Sequence, residues 1–187
     1  MLPSSGDHMG MKPFVVNPSP QQGPLLEVLD HCNRPVGVMS QGLVHSQKLR
    51  HHRAAALIYW PETALLLSRR SALCPDSPLC WDVTFSEHVA AGEAGYDTVR
   101  RGLHSRLGLS ISKLRLLRIW EACALTGNET LTVYSATLRC APWARDESGL
   151  DEIMLLDSQE VRALVDNFPR QVSSTLRFLS KHGEIFG

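Results

Sequence analysis

Residues 53–60, Arg-Ala-Ala-Ala-Leu-Ile-Tyr-Trp, hold the longest apolar run in the chain. An unbroken apolar stretch of strand length has no polar face to offer to water, so it belongs inside a sheet rather than on its surface. Pro61-Glu62-Thr63 breaks the run, and 64–68 is apolar again. The pattern predicts a buried central hairpin. The seven apolar residues from Ala54 to Trp60 fall far short of the roughly 20 needed to span a bilayer, so no membrane partner is expected.

The remaining elements follow from periodicity and punctuation. Residues 25–31 alternate, Asn33-Arg34-Pro35 supplies a turn, and 36–39 reads as the return strand of a hairpin. Pro75 and Pro78 make 71–80 a loop, and 81–85 a strand. Val99, Leu103 and Leu107 repeat every four residues, which gives one apolar stripe on a helix over 96–107, with Gly108 at its end. Residues 113–125 and 130–138 read as long strands joined by a turn at Gly127-Asn128, so they are expected to pair. A short strand at 153–156 precedes a helix capped by Ser158, and 172–179 lies in a last helix. Strands, helix, strands, helix is the order of an α+β sandwich with a mixed sheet, not of a regular βαβ alternation.

A chain of 187 residues can bury roughly 70% of its unfolded surface, enough for one core without a disulfide or metal staple. The first 23 residues, rich in Pro, Gly and Ser, read as a flexible tail before a single domain at 24–187. Nineteen Lys and Arg balance nineteen Asp and Glu, so the basic footprint of a non-specific nucleic-acid binder is missing. Five cysteines with no C-x2-C pair, and no secretory apolar region at the N-terminus, point to reduced thiols and a cytoplasmic protein.

One segment carries a specific pattern. Residues 87–109 read EHVAAGEAGYDTVRRGLHSRLGL. Glu93, Arg101, Leu103, Gly108 and Leu109 fall at the spacing of G-x5-E-x7-R-E-U-x-E-E-x-G-U, where U is apolar. The segment resembles a degenerate Nudix box. Glu87 stands at the opening glycine, and Gly102, Ser105 and Arg106 stand at the three carboxylates of the helix. In the full pattern those carboxylates lie one turn apart and hold divalent metal against a diphosphate. Here Glu93 and Arg101 remain, a pair expected to tie the loop to the helix. The resemblance implies an α/β/α sandwich.

Flanking segments resemble the isopentenyl-diphosphate isomerase branch of that superfamily. They are His52-Arg53-Ala54-Ala55-Ala56, Leu66 to Arg70, Trp81 to Thr84 and His88 to Glu93. In that enzyme three histidines and two glutamates hold a metal. By spacing His45, His52 and His88 fall on the histidines and Glu129 on the second glutamate, while Gly127 stands at the first. His51 and His104 read as surface residues. Ser86 stands at the catalytic cysteine, and Cys74 at a diphosphate-binding lysine next to Arg70. Arg69, Arg70 and Arg106 are expected to bind substrate phosphate, since arginine grips phosphate bidentately.

The resemblance therefore implies a metal-dependent hydrolase of small organic diphosphates, nucleoside or prenyl, with Glu93 and Glu129 as the catalytic and metal-binding carboxylates. Mg2+ or Mn2+ would serve hydrolysis, and Zn2+ would suit the histidine cluster. A homodimer is an expected assembly. Two rival expectations stand beside it. One is a non-catalytic binding or interaction module that kept the sandwich and lost the metal helix. The other is an isomerase-like enzyme built on the histidine-rich metal site.

Overall fold

A computed structural model describes residues 23–140 and 152–186. The N-terminal tail expected over 1–23 lies, but for its last residue, outside the described residues. A hairpin of β1 (Leu25–Leu29) and β2 (Pro35–Ser40) runs into the short helix α1 (Gln41–Ser46). Then come β3 (His51–Tyr59), β4 (Leu65–Arg69), β5 (Trp81–Asp82) and β6 (Phe85–His88). Helix α2 (Gly95–Leu107) follows, with β7 (Arg115–Trp120) and β8 (Glu129–Thr137) after it. The chain closes with β9 (Ile153–Leu156), α3 (Ser158–Asn167) and α4 (Ser174–Lys181).

The larger sheet has seven strands in the order β5-β4-β3-β8-β7, with β6 added to β3 and β9 to β4. The apolar run forms β3 and is central, as expected, but its partners differ from a hairpin. β3 meets β4 at one pair only, Tyr59 with Leu65. Antiparallel β6 occupies that edge of β3 from Arg53 to Ala56, so β4 diverges and pairs with β9 and β5 instead. The other edge of β3 carries β8 in parallel register, from His51 opposite Glu129 to Tyr59 opposite Thr137. β7 and β8 pair antiparallel as expected, but β7 ends at Trp120, short of the strand expected to reach 125, and a 3-10 turn at Ala124–Thr126 precedes Gly127 and Asn128, which adopt the left-handed backbone before β8.

Both faces of β3 are covered. Ala54, Ala56 and Ile58 pack with Val99, Leu103 and Leu107 of α2. Ala55 and Leu57 pack with Val161, Val165, Leu176 and Leu179 of α3 and α4. This is an α/β/α sandwich around a mixed sheet. Gly108 ends α2 in the left-handed conformation. The cap of α3 is Asp157 rather than Ser158. Its carboxylate accepts the N–H groups of Gln159 and Glu160, and Glu160 returns the bond to the Asp157 N–H. Among the described residues no helix is long and apolar enough to cross a membrane.

Candidate metal centre

The paired register places three chemistry-bearing side chains at one end of the sheet. His51 opens β3, Glu129 opens β8 directly opposite, and His88 closes β6 on the other edge of β3. α1 adds His45 from above. The ligating atoms of His45, His51, His88 and Glu129 lie within 4.8 Å of one another. His88 Nε2 is 2.9 Å from Glu129 Oε1 and 3.1 Å from His45 Nε2, and His51 Nε2 is 3.4 Å from the same oxygen. A tetrahedral ion with bonds of about 2.0–2.1 Å keeps its ligand atoms about 3.4 Å apart, so these spacings suit one.

The hydrogen-bonding argues the same way. His51 Nδ1 sits 2.9 Å from the Leu49 carbonyl oxygen, which can only accept. That nitrogen therefore carries the proton, and Nε2 presents a lone pair to the cluster. Nε2 is buried and has no hydrogen-bond partner. Gln41's amide meets His88 Nδ1 at 3.2 Å and can serve either ring tautomer by presenting nitrogen or oxygen. Burial pushes His88 down to about 4 and lowers His45, so both imidazoles are neutral near pH 7 and free to coordinate.

Arg53 is the residue that sequence reasoning passed over. Two positions along β3 from His51, it shares that strand face, and it is 4% exposed. Its Nη1 donates to both oxygens of Glu129, at 3.2 and 3.0 Å. Burial alone would raise Glu129, but Arg53 and then the two imidazoles outweigh it and hold the carboxyl well below the usual range. His45, Arg53, Asp76, Thr126, Glu129 and Phe178 line a cavity of about 450 Å3 beside the cluster. The pocket thus places a set of side chains that could hold a metal ion, a fixed carboxylate and a guanidinium against one ligand-sized space.

His52, expected as a ligand, is not in the cluster, and His51, read as a surface residue, takes that place. Consecutive residues of a strand point to opposite faces, so a shift of one residue in register exchanges them. His52 is half-buried on the other side, where burial lowers it and Glu27 acts against that. Ser86 is buried with its hydroxyl unpartnered, and Gly127 lines the rim of the cavity without a side chain to contribute.

The box helix is arranged differently. Glu93 accepts from Arg101 Nε and Nη2 at 2.9 and 3.0 Å, which ties the loop to α2. Glu87 lies 4.0 Å from Arg101 and 3.6 Å from Arg106. Where the box pattern has its first helical carboxylate, Gly102 packs against the ring of Phe85. A Cβ there would fall 1.9 Å from Phe85 Cε2. Arg106 covers the same ring at 5.5 Å. These groups do not fit Mg2+ or Mn2+. On this face both nearby carboxylates, Glu87 and Glu93, are engaged by arginine, and the carboxylate positions of the helix hold an aromatic contact, a hydroxyl and a cation.

The three arginines expected to cradle phosphate each sit on a different carboxylate. Arg69 is on Glu152 at 2.8 Å, Arg70 on Asp82 at 2.7 Å, and Arg106 near Glu87. Arg70 also donates to the Asp76 carbonyl, so it braces the 71–80 loop. Their partners lie 12 to 83 residues away in sequence, which no local pattern reveals.

No family model matches the chain. It is 31% identical over 129 residues to an isopentenyl-diphosphate Delta-isomerase of Brevibacterium linens, covering 68% of this chain and 60% of that one. A second protein of that name, from Streptomyces griseus, is 33% identical over 91 residues, 48% of this chain and 46% of the relative. An uncharacterized Nudix hydrolase of Nostoc is 29% identical over 89 residues, 47% of this chain and 53% of the relative. The chain therefore spans about half to 60% of the length of these relatives. Among solved structures, a Deinococcus radiodurans protein superposes with a TM-score of 0.70 at 17% identity, covering 84% of this chain and 98% of its own. A Nudix hydrolase of Nitrosomonas europaea reaches 0.51 at 17% identity, covering 71% and 86%. By its fold the chain is a Nudix-type sandwich, and its box-bearing segment and these relatives make it similar to the Nudix superfamily and to its isopentenyl-diphosphate isomerase branch.

Proposed function

We propose that this chain is a metal-dependent Nudix protein whose working centre is the cluster of His45, His51, His88 and Glu129 rather than the box helix, and that the adjoining cavity receives a small organic diphosphate. The observation that supports the reading is the convergence of four side chains, whose ligating atoms lie within 4.8 Å of one another with His51 Nε2 3.4 Å from Glu129 Oε1. Three imidazoles and one carboxylate suit Zn2+ or a similar transition metal better than Mg2+. Bound there, the ion would supply Lewis acidity toward a phosphoryl oxygen or a water molecule.

The chain's own residues have separable tasks. Arg53 holds both oxygens of Glu129 and fixes the carboxylate's orientation. The Leu49 carbonyl fixes the tautomer of His51. Leu125, Leu131 and Phe178 give the cavity an apolar wall, while Thr126, Ser174 and Thr175 offer hydroxyls to a polar ligand. Two features disfavour alkene isomerisation, which needs an acid and a base on opposite faces of the substrate. Ser86 is a poor proton donor beside a thiol, and Gly127 offers no carboxylate.

Calorimetric titration of the metal-stripped protein with Zn2+, Mn2+ and Mg2+ tests this reading. His51→Ala and the exposed-site variant His45→Ala are expected to weaken Zn2+ binding roughly tenfold to a hundredfold. His52→Ala is expected to leave it within roughly threefold, because its side chain sits on the other face. Equal effects of the two neighbouring histidine substitutions, or no Zn2+ binding at all, would sink the assignment. Phosphate release from a panel of diphosphates should follow Zn2+ occupancy and stop on chelation.

A further inference from the structure

A second cavity, about 670 Å3, lies at the opposite end of the sheet. Tyr59 and Thr137 close β3 and β8 there, eight residues along the strands from His51 and Glu129. At about 3.3 Å per residue this is roughly 25 Å from the metal centre. Lys113, Arg115 and Arg139 line the cavity, and none of its lining residues is acidic.

The pairing of charge sets these three cations apart. Arg53, Arg69, Arg70 and Arg118 each lie on a carboxylate, and Arg118 finds Glu184 from the same strand that carries Arg115. Among the described residues, Lys113, Arg115 and Arg139 form no ion pair. The lining of this cavity therefore carries positive charge alone among the described residues, while Glu62 and Glu184 line the neighbouring cavity that Arg115 also borders. A shallower groove of about 590 Å3 shares Ser110, Ile111 and Ser112 with the cavity and continues it toward Arg100, His104 and the carboxylate of Asp97, so the one-signed lining is confined to the larger cavity. Concave surfaces lined by one sign of charge concentrate counter-charged ligands.

The lining also names the ligand's chemistry. Ser110, Ser112, Ser135 and Thr137 supply hydroxyl donors beside the cations, the combination that satisfies phosphoryl oxygens. Leu109, Ile111, Ala136 and Leu138 supply an apolar wall for an organic body. The volume is that of an ordinary small-ligand site. We infer that the cleft between the 109–115 segment and the end of β8 is a second binding site, taking a small organic phosphate through Lys113, Arg115 and Arg139. It is independent of the metal centre, so either assignment can fail without the other.

Calorimetry on the full chain in the presence of a chelator tests it, with inorganic pyrophosphate and ADP as probes. Both are expected to bind, ADP more tightly because it also meets the apolar wall. The triple variant K113A/R115A/R139A should weaken both roughly tenfold or more, and added salt should weaken both in the wild type. All three side chains are exposed, so the variant should melt with the wild type, and Arg115→Gln alone should show a smaller loss of the same kind. Arg34→Ala, which removes an exposed cation between β1 and β2 outside both cavities, should change nothing. Failure of both probes to bind, unchanged binding in the triple variant, or an equal loss of binding in Arg34→Ala would overturn the assignment. Pyrophosphate binding as tightly as ADP would overturn the organic part of it.

Discussion

Gly102→Ala is expected to destabilise the protein by about 2–3 kcal/mol, although alanine is the better helix former by about 1 kcal/mol. The packing term decides the sign. Gly102 is buried in α2, and its added Cβ would lie 1.9 Å from Cε2 and 2.0 Å from Cζ of Phe85. Phe85 is 2% exposed and packs with Ala54, Leu103 and Leu107, so its ring cannot swing into solvent. For a chain of this size the loss corresponds to a fall in Tm of roughly 5–10 °C. Phe85→Leu in the same chain should recover part of the loss, because the smaller side chain leaves room for the methyl group. Strictly additive effects of the two substitutions, measured by denaturant unfolding, would show that the ring and the glycine do not oppose one another. The functional corollary is direct. Rebuilding the box by Gly102→Glu would add a buried charge to the same clash, so it should unfold the helix rather than restore a metal site.

This contact also shows where sequence reading ends. The stripe of Val99, Leu103 and Leu107 and the stop at Gly108 are local regularities, and α2 follows from them. The pairing of β7 with β8 follows from the turn at Gly127-Asn128. The parallel pairing of β3 with β8 leaves no local trace, because its partners are joined through most of the domain. The fit of Phe85 to Gly102 is likewise a relation between two elements, and glycine alone at a carboxylate position reads only as a loss. Three of the four cluster residues, His45, His88 and Glu129, were legible through the resemblance. The fourth was misplaced by one residue, since two adjacent histidines at the head of a strand differ only in which face they take. Arg53 was hidden by its position at the head of an apolar run, where an arginine reads as a strand boundary rather than as a buried charge.

Glu129→Gln is expected to cost the metal-free protein about 3–5 kcal/mol, the largest effect of any isosteric change proposed for this chain. The carboxylate is 7% exposed and answers Arg53 at 3.0 Å, and removing its charge strands a guanidinium that is 4% exposed. Asp76, at 3.8 Å and partly exposed, offsets little of that. Arg53→Met should cost a similar amount by the converse route, leaving Glu129 buried without its guanidinium partner. The double variant should recover most of either loss, since a buried ion pair replaced whole is often nearly neutral. Zinc separates a buried ion pair from a metal centre in this series. A dication held by His45, His51, His88 and Glu129 replaces the missing cation in Arg53→Met, so Zn2+ should raise the Tm of that variant more than that of the wild type. It should do little for Glu129→Gln, which has lost the ligand charge. If Zn2+ stabilises neither the wild type nor Arg53→Met, the four residues are a packed polar core and Arg53 is the only cation they were built to hold.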